Sequence, residues 1–121
     1  MQAFKLIVAG GRDFNNYELL ESEILRLANN ELKDHAVSIV SGMARGADML
    51  AVHFCNDRGI KLHKFPANWD AYGKRAGFMR NEQMAKFADG LLAFWDGKSR
   101  GTKHMIDIAR ALNLDVRVIN Y

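Results

Sequence analysis

At 121 residues the chain is one domain's worth, and an apolar share of 49% with 7 Phe and 2 Trp excludes intrinsic disorder. A single cysteine excludes an internal disulfide. The net charge of +3 is mildly basic, which favours an anionic ligand but is too small by itself to indicate a nucleic-acid partner.

Residues 3–9, AFKLIVA, are a nearly continuous apolar run and read as a buried strand of a parallel sheet. The run is too short for a secretory signal or a membrane span, and Gly10-Gly11-Arg12 ends it, so a soluble cytoplasmic protein with no membrane partner is expected. Asn15 with Glu18 three residues on resembles a capping box. Leu20, Ile24 and Leu27 follow at helical spacing and predict a helix over 16–32. Residues 37–41, VSIVS, are the second strand. Ala47, Leu50, Ala51 and Phe54 then recur at i, i+3, i+4 and i+7, predicting a helix that stops at Gly59. Cys55 falls on that helix as a small buried hydrophobe.

Residues 61–65, KLHKF, are the third strand, and an eleven-residue connection, PANWDAYGKRA, follows. The next helix starts near Gly77 and carries Arg80, Met84 and Phe87 on one face. GLLAFW at 90–95 is the fourth strand and DGKSRG a glycine-bearing loop. Met105, Ile108, Ala109 and Leu112 mark the last helix, and DVRVI at 115–119 the fifth strand. The expected fold is α/β: a Rossmann-like three-layer sandwich with a five-stranded parallel sheet and helices on both faces, in a single domain over 1–121.

Such sheets bind ligands beyond the carboxyl ends of their strands. Four loops should meet there. The first holds Gly10, Gly11, Arg12 and Asp13, and the second Ser41, Gly42, Arg45, Gly46 and Asp48. The third holds Trp69, Tyr72, Lys74 and Arg75 and leads to Arg80 and Asn81. The fourth holds Asp96, Ser99, Arg100, Gly101 and Thr102. Every loop carries an arginine, and three carry glycine close to a helix start. Helix N-termini offer unpaired N–H groups, glycine admits close approach of a phosphate, and arginine adds a donor fork. Each residue also has a plainer use. The glycines suit turns, Asp48 complements a helix dipole, Trp69 and Tyr72 can pack the loop instead of stacking on a base, and His104 suits a helix surface. No His, Cys or Asp spacing suggests a metal, and neither G-x-x-x-x-G-K-[ST] nor G-x-G-x-x-G occurs.

GGRDF at 10–14, SGMARGAD at 41–48, FPANWDAYGKRAGFMRNEQM at 65–84 and SRGTKHM at 99–105 together resemble the YspA/YpsA-related branch of the SLOG superfamily. The superfamily includes the DNA-processing protein DprA, the Lonely Guy phosphoribohydrolases and nucleotide-sensing domains. The resemblance implies a Rossmann-like fold, a nucleotide or nucleotide-derived ligand with no further cofactor, and self-association into a homodimer or higher homo-oligomer. Gly10, Gly11 and Arg12 match the first motif; Ser41, Gly42, Arg45, Gly46 and Asp48 the second; Arg80 and Asn81 an RN pair; Gly101 and Thr102 the fourth. The phosphoribohydrolases carry PGGxGTxxE. Here that spacing ends in Met105, which moves no proton.

Three functions follow as expectations. The first is a nucleotide sensor or effector domain, with phosphates held by Arg12, Arg45, Arg80 and loop backbone, and the base covered by Trp69 or Tyr72. The second is a hydrolase of N-glycosidic bonds using Asp48 or Asp96 in place of the missing glutamate. The third is single-stranded DNA binding of the DprA kind.

Overall fold

The computed structural model describes residues 1–121 and contains one five-stranded, all-parallel sheet in the order β3-β2-β1-β4-β5. The strands are β1 (Gln2–Gly10), β2 (His35–Ser41), β3 (Leu62–Lys64), β4 (Gly90–Trp95) and β5 (Asp115–Asn120). The helices are α1 (Tyr17–Asn29), α2 (Ala47–Arg58), α3 (Trp69–Tyr72), α4 (Ala76–Phe87) and α5 (Arg100–Ala111).

Alternation along β1 builds both faces of the core. Leu6 and Val8 join Phe14, Leu20, Ile24 and Phe54, under α1 and α2. Ile7 and Ala9 point the other way and join Met84, Met105, Ile106 and Ala109, under α4 and α5. β4 does the same with Leu92 and Phe94 on one side and Leu91 and Ala93 on the other. A strand covered on both faces must be apolar at nearly every position, which is why these runs show no polar alternation. The three-layer α/β sandwich is therefore as expected.

Three local details differ from the expected ones. Asn16, not Asn15, caps α1: its side chain accepts from the Leu19 N–H at 3.0 Å. The helix ends at Asn29 rather than at 32, because the Asn30 side chain turns back to the Arg26 carbonyl at 2.7 Å. The 66–76 connection contains α3 and a 3₁₀ turn at Gly73–Arg75, with Asn68 capping α3 through the Ala71 N–H at 3.1 Å.

The chain runs from β1 outward to β2 and β3, then returns to the other side of β1 for β4 and β5. The strand order thus reverses between β1 and β4. The loops that leave their carboxyl ends diverge to opposite faces and open a crevice there. No helix of the molecule is long and apolar enough to cross a membrane.

Candidate functional site

The crevice at the β1–β4 switch holds an inner cavity of about 150 Å³. Ala9 and Gly10 line it from the end of β1, Asp48 from α2, Arg80 and Asn81 from α4, and Gly101 and Thr102 from α5. A second, outer hollow of about 430 Å³ adjoins it and is lined by Gly42, Met43 and Arg45 of the β2–α2 loop. Arg12, Ala44, Trp69 and Arg80 line both.

The β2–α2 loop is shaped by its own sequence. Gly46 has φ +79°, and a Cβ there would lie 2.1 Å from the Gly11 carbonyl oxygen, so this position needs glycine. The Gly11 carbonyl accepts from the Ala47 N–H at 3.3 Å and pins the start of α2 to the first loop. Ser41 is fully buried. Its hydroxyl donates to the Asp48 carbonyl at 3.1 Å and accepts from the Met43 N–H at 3.1 Å. Ser41 and Gly46 thus fasten the loop and do not face the cavity.

Asp48 is only 5% exposed. Its Oδ2 accepts from the Ala44 N–H at 3.2 Å. Burial pushes its carboxyl up to about 6, against the Ala44 N–H and the Arg80 and Arg12 charges, which pull it down. Arg80 is half-buried. Its Nε donates to Asn81 Oδ1 at 3.0 Å and its Nη1 to the Gly42 carbonyl at 2.5 Å. Asn81 in turn donates through Nδ2 to the Gly101 carbonyl at 3.3 Å and shares a 3.2 Å bond with His104 Nδ1. The RN pair therefore links three of the four loops: Arg80 reaches the second, and Asn81 reaches the fourth.

Arg12 is exposed and lies over the Trp69 ring, 5.8 Å from its centroid. The molecule has four ion pairs, Arg26–Glu23, Arg58–Glu21, Lys103–Asp107 and Arg117–Glu31. Arg12, Arg45, Lys74 and Arg80 take part in none of them.

Other expected residues stand elsewhere. Gly11 is buried against Tyr121, whose hydroxyl donates to Asp13 at 2.7 Å. Tyr72 does not line either cavity but a shallow hollow of about 50 Å³ beside Met79. The Asp96 carboxylate accepts from the Ser99 and Lys98 N–H groups, both at 2.8 Å, and these bonds lower its pKa. It closes its own loop and is not brought to the cavity. Met105, 1% exposed, lies at the cavity floor. Lys74 and Ser99, which the sequence places in the strand-end loops but not among the matched motif residues, line the inner cavity, and so does Phe78, which the sequence did not single out for the site. Lys74 sits in a basic loop at a strand end, which was a usable signal. Phe78 is exposed at the start of α4, and its ring stacks on His104 at 4.2 Å between centroids.

Comparison with known proteins places the chain in a family, through a model that spans the first two loops of this constellation. Residues 4–72 match the model of a family described as YAcAr, the YspA, cpYpsA-related SLOG family. The chain is also similar to "Gene 61 protein" of Mycobacterium phage D29, with 36% identity over 95 residues, covering 72% of this chain and 73% of that protein. The matched segment contains the GGRDF and SGMARGAD loops. Arg80, Asn81, Gly101 and Thr102 lie beyond the residues that the family model matches.

Proposed function

Because the chain belongs to the YspA/cpYpsA-related SLOG family, we propose that the crevice between the carboxyl ends of β1 and β4 binds a nucleotide or nucleotide-derived ligand, as a sensor or effector site. The observation that carries this reading is the set of four cations around one crevice, none held in an ion pair. Of these only Arg80 is half-buried, and an anionic ligand offsets the cost of burying its charge, while the exposed Arg12, Arg45 and Lys74 add attraction at the rim. Arg12, Arg45 and Arg80 hold phosphate oxygens, and Gly101 and Thr102 present the first turn of α5. Trp69, with Arg12 over its ring, covers the base. A thermal-shift screen across nucleoside mono-, di- and triphosphates tests the proposal. A ligand at 100 times its Kd stabilises by ~2.7 kcal/mol. No shift with any nucleotide at millimolar concentration would sink it.

A second reading has its own support. Asp48 lines the same cavity as Met105, and its raised pKa suits general acid–base chemistry. In this reading Asp48 serves hydrolysis of an N-glycosidic bond in place of the glutamate that Met105 replaces. Free base released from nucleoside monophosphates, and lost in Asp48→Asn, is its signature.

A further inference from the structure

We propose that the ligand carries two or more linked phosphates, with the chain running from the inner cavity to the outer hollow across Arg12 and Arg80. This rests on the reading of the crevice as a nucleotide site and adds the phosphate count to it.

The distribution of charge between the two cavities carries the argument. Lys74 lines only the inner cavity and Arg45 only the outer hollow, while Arg12 and Arg80 line both. One phosphate group occupies one of these spaces. It reaches the exposed Lys74 at the inner cavity or the exposed Arg45 at the outer hollow, but not both. A phosphate chain meets an unpaired cation at each end and two more at its middle. Asp48 is the one carboxylate among the lining residues, so the balance across both spaces is strongly positive. A single phosphate carries about −1.5 to −2 charges at pH 7, which offsets only part of it.

Arg80 is built for the central position. Two of its nitrogens are committed, Nε to Asn81 and Nη1 to the Gly42 carbonyl. These bonds fix the guanidinium plane and leave Nη2 without a protein partner. Arg12 lines the same two spaces and lies over the Trp69 ring. The inner cavity has an apolar floor of Met84 and Met105, which suits the nucleoside end. The outer hollow, lined by Arg45 and the Gly42–Ala44 loop backbone, suits the distal phosphate.

The test measures Kd by calorimetry for matched pairs: AMP and ADP, GMP and GDP, CMP and CDP, UMP and UDP, and inorganic phosphate and pyrophosphate. ADP-ribose is added to separate an internal pyrophosphate from a terminal one, and preference for either upholds the proposal. For the base that binds, the diphosphate is expected at least about tenfold tighter than the monophosphate, the size of one added charge-assisted contact. Arg45→Ala narrows that ratio to below about threefold. Arg45 is exposed and makes no side-chain bond, so the variant folds, and circular dichroism checks it. Equal affinity for mono- and diphosphates overturns the phosphate count and leaves the nucleotide site standing, as does a ratio that Arg45→Ala does not change. Binding of no nucleotide at all overturns both.

Discussion

Asp48 and Arg80 face each other across the Cα of Gly42 without forming an ion pair. A Cβ at position 42 would stand 2.6 Å from Arg80 Nη1 and 2.9 Å from Asp48 Oδ2. The glycine is thus the gap through which the loop backbone reaches the guanidinium. Gly42→Ala must push the end of Arg80 aside and break its bond to the Gly42 carbonyl. Nucleotide affinity is expected to fall at least about tenfold, with about 1 kcal/mol lost in urea unfolding for the broken bond. Unchanged affinity would mean that Arg80 does not hold the ligand.

Arg80→Lys is not a conservative change here. One ammonium cannot serve Asn81 Oδ1 and the Gly42 carbonyl together, as the guanidinium fork does. Asn81, itself buried, is left with an unmet acceptor. The expected loss is about 1–3 kcal/mol in stability and more than tenfold in nucleotide affinity. Wild-type affinity in Arg80→Lys would mean that positive charge alone suffices.

Asp48 makes stability depend on pH in a defined direction. Burial raises its folded value to about 6 from 3.8. The neutral form is favoured in the fold, so its contribution is complete below about pH 4 and is lost as pH rises through about 6. Asp48→Asn keeps a neutral group there. The variant's stability relative to wild type should therefore grow by about 2 kcal/mol between pH 4 and pH 7.5. Unfolding curves at both ends of that range measure it, and a difference that stays flat would place Asp48 in a wetter setting. Ionised Asp48 also repels an anionic ligand, so Asp48→Asn should gain affinity relative to wild type above pH 6.

Met105 is a core residue as well as a cavity residue. Met105→Leu conserves volume and should cost less than about 1.5 kcal/mol. Met105→Glu places an unpaired carboxylate at a position that is 1% exposed, and should cost about 3 kcal/mol or more. It is not expected to release base from nucleoside monophosphates, because a restored carboxylate without its neighbours is not positioned for catalysis. Base release by Met105→Glu, followed by chromatography, would reveal a site otherwise ready for hydrolysis.

Tyr72 on α3 and Phe78 on α4 are each 46% exposed, Tyr72 outside both cavities and Phe78 at the wall of the inner one. Self-association that covers them is expected, as the SLOG resemblance implied. Light scattering at micromolar concentration should give a mass of at least two chains, and a monomer would count against it.

Much of this molecule is legible in one dimension. Apolar runs of strand length alternate with segments of helical period, and that alternation alone demands a parallel sheet covered on both faces. The crevice was legible too, since ligands of such sheets lie beyond the strand ends and every loop there carries arginine. The three-residue β3 and the short α3 were harder to see. Their bounds depend on one cap at Asn68 and on pairing with β2, not on any period.

What the tertiary structure decided is which loop residues turn inward. Ser41, Asp48 and Asp96 are alike in sequence, each a small polar group near a helix start. Ser41 spends its hydroxyl on backbone, Asp96 caps its own loop, and Asp48 alone is carried into the cavity wall. The strand order decided it by setting β4 against β1, so that α5 and α2 flank one crevice. Arg80 reaches Gly42 across 38 residues and Asn81 reaches Gly101 across 20. Local patterning records only neighbours within a turn or a pleat, about four residues apart. Bonds across such separations exist only once the sheet has brought its loops together.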